Sequence, residues 1–158
     1  MTKMIRCLLA GLVLSATMTV AALAAGVAIN ADSSGLALRG HDPVAYFTQG
    51  APTPGDRAIS AVHDGATYHF ASEANRDTFL ANPAAYLPAY GGYCAFGTAM
   101  GYKVDGDPEA WKIVDNRLYL NYSKGVQRRW ESRQAHYITT ADDQWSRIRD
   151  KSPEELRP

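Results

Sequence analysis

Cysteine is almost missing from this chain: among 158 residues there are two, Cys7 and Cys94. Cys7 lies in a segment with the pattern of a cleaved leader, so one thiol remains. No internal disulfide can then form, and packing alone must hold the fold. Neither sign of charge is in excess, with 16 Lys and Arg against 16 Asp and Glu. No basic block breaks that balance, which argues against nucleic acid or an anionic membrane surface as a partner. The four histidines and Cys94 never fall into His-x-x-x-His or Cys-x-x-Cys spacing, so a metal site would have to be assembled by the fold. Ser72 and Ser123 lack a surrounding Gly-x-Ser-x-Gly and read as helix caps rather than nucleophiles. Asp42, Asp64, Asp105, Asp107 and Asp115 each stand beside Gly, Pro or Asn, where a carboxylate commonly bonds its own backbone. No constellation fixes a reaction, and the balance falls on a protein that is not an enzyme.

The one long apolar run is at the start. Lys3 and Arg6 precede an uncharged stretch from Cys7 to Ala31, apolar over Leu8 to Leu23 and ending in Ala22-Leu23-Ala24. That order is a signal peptide, with the cut expected after Ala24, or after Ala25. Export to the periplasm or the exterior follows, with no membrane attachment after cleavage. Losing Lys3 and Arg6 from 16 basic side chains leaves 14 against 16 acidic ones, a net charge of about −2. Residues 25–34 are small and polar and read as a loose leader, residues 35–151 as one α+β domain, and residues 152–158 as a tail.

Hairpin and helix signals then occur twice. Ile59 to Val62, the turn His63-Asp64-Gly65, and Tyr68 with Phe70 predict a β-hairpin, after which Ser72 caps a helix over 73–80 stopped by Asn82-Pro83. Ile113 and Val114, Asp115-Asn116, and 118–122 repeat the hairpin, and Ser123 caps a helix over 124–133 carrying Trp130 inward. One offset of 51 residues carries Asp64 onto Asp115, Tyr68 onto Tyr119, Ser72 onto Ser123, Phe79 onto Trp130 and Tyr86 onto Tyr137 without a gap. The expected fold is therefore α+β: two ββα units with a small antiparallel sheet. Two more helices are expected, near 92–100 and over 139–150.

The run His63-Asp64-Gly65-Ala66-Thr67-Tyr68-His69-Phe70-Ala71-Ser72, with Phe79 and then Asn82-Pro83-Ala84-Ala85-Tyr86, resembles the YHS domain. Gly40-His41-Asp42-Pro43-Val44-Ala45-Tyr46-Phe47, Tyr90-Gly91-Gly92-Tyr93-Cys94-Ala95 and Asp107-Pro108-Glu109-Ala110-Trp111 resemble its exported bacterial branch, in which the position of Cys94 can hold selenocysteine. The resemblance implies a metal site, because metal-binding relatives carry cysteines at the places of Ala45, Ala71 and Asn75. Those thiolates are absent here, so no structural zinc is expected.

Cys94 is the remaining candidate for chemistry. If Gly91-Gly92 opens a helix, free N–H groups near the sulfur are expected to lower the thiol pKa. Three readings follow: an accessory module binding a metal ion such as copper, or a small ligand, with Cys94, His41 and Met100 as the metal candidates; a thiol-dependent redox protein using Cys94; or a structural or partner-binding domain with Cys94 buried. Of the other histidines, His63 lies at a turn, His69 faces away from Tyr68 and Phe70, and His136 follows a helix.

Overall fold

The computed structural model describes residues 27–157, and the signal peptide read over 1–24 lies outside them. In chain order come α1 (Ala45–Thr48), β1 (Asp56–His63), β2 (Ala66–Phe70), α2 (Glu73–Ala81), α3 (Ala95–Ala99), β3 (Asp107–Val114), β4 (Arg117–Asn121), α4 (Lys124–Glu131) and α5 (Gln134–Ile148). Among the described residues no helix is long and apolar enough to cross a membrane.

The duplication holds to the residue. Every bound of β1, β2 and the start of α2 recurs 51 positions later in β3, β4 and α4. The hairpin turns both lie in the left-handed region, Asp64 and Gly65 at φ 48° and 79°, Asp115 and Asn116 at 47° and 61°. Such turns match the right-handed strand twist and select Asp, Asn and Gly. The register slips alike in both hairpins: four residues advance on β1 between Asp56 and Ser60 while β2 advances one, and Asp107 to Trp111 does the same against β4. Ser72 accepts from Asn75 N at 3.1 Å and Ser123 from Val126 N at 3.3 Å, so each satisfies one orphan N–H of its helix.

The two hairpins form separate two-stranded sheets rather than one shared sheet. In the first half Tyr68, Phe70 and Phe79 build a core, with Tyr68 and Phe79 ring centroids 5.2 Å apart. In the second, Tyr119 and Trp130 meet at 5.5 Å among Tyr90, Tyr137 and Ala141. Strand β4 serves both cores, because Leu118 and Leu120 point into the first while Tyr119 points into the second. The repeat ends after the capped helices. Asn82-Pro83 stops α2, whereas α5 starts at Gln134 and takes Tyr137 into a helix that Tyr86 does not have. That start is five residues ahead of the one expected from sequence.

Residues 27–34 are not loose. Asn30 N donates to Gly91 O at 2.9 Å, Ala31 bridges Ala37, and Asp32 Oδ1 accepts from the backbone N–H of Ser34 and Leu36. A small polar segment docks here because several of its backbone groups find partners in the rest of the fold. Lys103, 4 % exposed, ties the segment at Val27 to the end of α5: its ammonium donates to Val27 O, Arg149 O and Lys151 O at 2.5 to 2.7 Å. It also lies over the rings of Tyr93 and Trp145. Burial pushes its pKa down to about 8, against the attraction of Asp150 and Glu155.

Candidate functional site

Each half carries one buried cap ahead of its hairpin. Asp42 is fully buried and uses both oxygens: Oδ1 accepts from Val44 N at 2.8 Å and Ala45 N at 3.3 Å, Oδ2 from Ala71 N at 2.8 Å and Asn75 Nδ2 at 2.6 Å. Four donors use the acceptor capacity of a carboxylate, which is what allows the group to be buried. The turn context read from sequence covers two of these bonds, while the two reaching Ala71 and Asn75 are tertiary. Ala45, Ala71 and Asn75, where metal-binding relatives are expected to carry thiols, therefore all converge on Asp42.

Cys94 stands in the same place in the second half. Asp42 N donates to Thr53 O and Cys94 N to Val104 O, both at 2.9 Å, and the bridge of His41 with Pro54 recurs as that of Tyr93 with Asp105. One inserted residue makes the offset 52 at Cys94, which the constant 51 of the hairpins conceals. The sulfur accepts from Gly97 N at 3.3 Å, and the N–H groups of Tyr122 and Phe96 also favour its thiolate. Its S–H donates to Asn121 Oδ1 at 3.8 Å, and that oxygen also accepts from Phe96 N at 3.3 Å. Asn121 is fully buried, and among the described residues its Nδ2 has no partner. Swapping the amide's O and N would set a donor against the Phe96 N–H, so the assignment follows from the backbone. Trp130 Nε1 and Gln127 Oε1 are likewise buried without partners among the described residues.

The expected activation of Cys94 is overturned. The thiol is 1 % exposed, and burial raises its pKa by more than the three N–H groups lower it. α3 has five residues and Cys94 is its N-cap, so the helix offers little beyond those individual bonds. His41, Cys94 and Met100 are not gathered into one site. His41 bonds Leu38 O through Nδ1 at 3.1 Å beside Asp42 in the first half. Met100 closes the far end of α3 and is 45 % exposed. Among the described residues no group of three or more His, Cys, Asp and Glu side chains is placed to hold a metal ion.

A cleft of about 90 Å³ opens where the halves and the N-terminal segment meet, and sequence reasoning did not find it. Asn30, Asp32, Arg39, Asp105 and Gly106 line it with Leu36, Leu38 and Leu120. Among the described residues Arg39 and Asp105 form no ion pair, and both are exposed. Gly106 is required there because a Cβ would strike Gly92 O, and Gly55 is required at the matching place of the first half, where a Cβ would lie 2.5 Å from His69 C. Nothing local in the sequence marks the cleft, since its lining comes from four separate stretches, residues 30–39, Gly92, residues 105–106 and Leu120.

Two hairpin–helix halves, each entered through a buried side-chain cap, define a small duplicated α+β domain. Residues 44–90 match the family model of the YHS domain. The match holds α1, β1, β2 and α2, which is the first half; the second half lies beyond it and repeats its fold. No curated protein and no solved structure matches the chain. The metal implied by resemblance does not fit the residues present. Ala45 and Ala71 offer no side-chain ligand, Asn75 uses its amide as a donor, and all four acceptor positions of Asp42 are taken.

Proposed function

We propose that the protein is an exported accessory module of the YHS type, which acts by binding and not by catalysis, and that its ligand is a small polar molecule taken up in the cleft between the halves. One observation carries this: Arg39 and Asp105, which have no ion-pair partner among the described residues, line the cleft beside Asn30. A guanidinium and a carboxylate at one opening suit a ligand carrying both charges. The volume, about 90 Å³, limits that ligand to a few heavy atoms. Burial of Cys94 supports the readings in which the thiol packs over those in which it ligates copper or attacks a substrate. Support for export comes from Lys3, Arg6 and Ala22-Leu23-Ala24.

Titration with glycine, acetate, ethylammonium and Cu(I), followed by amide shifts, tests the binding site. Glycine is expected to move Asn30, Arg39, Asp105 and Gly106, and Arg39→Ala to weaken its binding about tenfold. Glycine shifts that avoid these residues, or Cu(I) shifts centred on Gly97 and Tyr122, would overturn the reading. Export is tested by the N-terminus of the secreted protein, expected at Ala25 or Gly26; a full-length, membrane-held product refutes it.

A further inference from the structure

We propose that Cys94 is a modification site at which a hydroperoxide oxidises the thiol to a sulfinate, and that the sulfinate fills in the second half the oxyanion cage that Asp42 fills in the first. The donors of the two halves correspond. Around Asp42, the N–H groups of Val44, Ala45 and Ala71 and the amide of Asn75 converge on two oxygens. Around Cys94, the N–H groups of Phe96, Gly97 and Tyr122 converge on one sulfur and one borrowed oxygen, Asn121 Oδ1. The place of Asn75 is taken by Val126, 51 residues on, so the helix supplies no amide. Asn121, at the place of Phe70, supplies one instead.

Asn121 is the independent sign that an acceptor is missing. It is fully buried, its oxygen is within reach of the sulfur, and its Nδ2 has no partner among the described residues. A buried amide donor left open is destabilising, and a phenylalanine serves at the equivalent site of the first half. Two oxygens on Cys94 would take the Phe96 and Gly97 N–H groups and the Tyr122 N–H, freeing the Asn121 amide to turn and donate Nδ2. Like Cβ–CO₂⁻, Cβ–SO₂⁻ carries two anionic oxygens one bond beyond the atom on Cβ, on a pyramidal sulfur in place of a planar carbon.

The chemistry balances with two equivalents of one oxidant. Cys–SH and ROOH give Cys–SOH and ROH; Cys–SOH and a second ROOH give Cys–SO₂H and ROH, and the acid then releases its proton. Each step breaks one O–O bond, moves one oxygen to sulfur and transfers two electrons from sulfur to the peroxide. No second thiol is present after residue 24 to divert the sulfenate into an internal disulfide. Because the sulfur is 1 % exposed, reaction waits on local opening and is slow, while the product is held by the donors it meets on closing.

The test treats the mature protein with hydrogen peroxide, reduces it with dithiothreitol, and measures the Cys94 peptide mass and the melting temperature. Expected are a gain of two oxygen atoms, located on Cys94 and not on the exposed Met100 by fragmentation of the peptide, that the reductant does not remove, and a melting temperature about 3 °C above that of the reduced protein. Cys94→Asp is expected to melt above Cys94→Ala by a similar margin, and Asn121→Asp, which keeps the acceptor for Phe96 and removes the donor, to abolish the gain on oxidation. A fall in melting temperature on oxidation overturns the proposal, as does oxidation that ends in a reducible dimer. An unfolded Cys94→Asp beside a folded Cys94→Ala does so as well. Should Asn121→Asp fail to fold, the oxidised and reduced wild-type proteins decide the matter alone.

Discussion

The two halves share a frame but differ in what they bury. In the first, Asp42 meets four donors and the core behind it is Tyr68, Phe70 and Phe79. In the second, Cys94 replaces Asp42, Asn121 replaces Phe70 and Trp130 replaces Phe79, and both Asn121 Nδ2 and Trp130 Nε1 lack partners among the described residues. Turns, bulges and serine caps are nonetheless the same. Backbone geometry is therefore specified by a few turn, bulge and cap positions, and the interior is free to change polarity while they are kept. The far faces of β2 and β4 differ for a related reason: Thr67 and His69 are half-buried, whereas Leu118 and Leu120 are covered by the first core.

The sharpest way to separate the halves is to cut equivalent aromatic side chains. Phe79→Ala and Trp130→Ala are each expected to cost about 4 kcal/mol in urea unfolding. Trp130→Phe, which also removes an unpaired indole N–H, should cost less than about 1.5 kcal/mol. Equal losses for the two Trp130 variants would show that the indole N–H is satisfied in the protein.

Next come the two caps. Asp42→Ala leaves four donors open and is expected to lose about 3 kcal/mol, whereas Cys94→Ala loses about 1 kcal/mol because its site is only partly used. Similar losses would remove the distinction between a filled and a half-filled cage. The docked N-terminal segment supplies a third contrast. Gly40 and Gly91 both have positive φ, so alanine costs each about 1 kcal/mol, but a Cβ on Gly91 would also strike Ala28 O. Gly91→Ala is expected to lose about 2 kcal/mol and to speed hydrogen exchange at Asn30, and equal effects at the two glycines would mean that residues 27–31 contribute nothing.

The smallest effect is with pH. Burial, with the nearby carboxylates, raises the phenols in both halves: Tyr46 and Tyr68 in the first, Tyr90 and Tyr93 in the second, the last to about 12. The folded chain keeps protons that the unfolded chain releases near pH 10, so stability falls above about pH 10 in both. Lys103 acts oppositely and in the second half alone. Folded, it gives up its proton near pH 8, and unfolded near about 10.4, so stability rises with pH across that window. A melting temperature that climbs from about pH 8 to 10 and then drops is expected, with the climb gone in Lys103→Met.

Much of the frame is legible in the order of residues along the chain. Asp64-Gly65 and Asp115-Asn116 announce turns that need positive φ, Ser72 and Ser123 announce helix starts, and their constant spacing announces the repeat. The site is legible in a smaller part. Cys94 stands out as the one remaining thiol, and its glycine flanks point to activation, but solvent exclusion outweighs the N–H groups that those flanks make available. Asp42 resembles any aspartate before proline, and its bonds to Ala71 and Asn75, 29 and 33 residues away, have no local mark. Asn121 looks like one polar residue in a return strand.

What the sequence alone determined is what depends on neighbours along the chain: the export signal as an expectation, the hairpins, the capped helices and the repeat. Only the tertiary structure decided that Asp42 and Cys94 are equivalent, since a one-residue insertion hides the match and shared hydrogen bonds to Thr53 and Val104 reveal it. It also decided that His41 and Met100 stand apart from Cys94, that residues 27–34 are docked, and that four separate stretches form a cleft. The reason is physical. Turns and caps are set by φ and by bonds spanning a few residues, whereas burial, pKa and the filling of a donor cage are set by whatever the whole fold brings within about 4 Å.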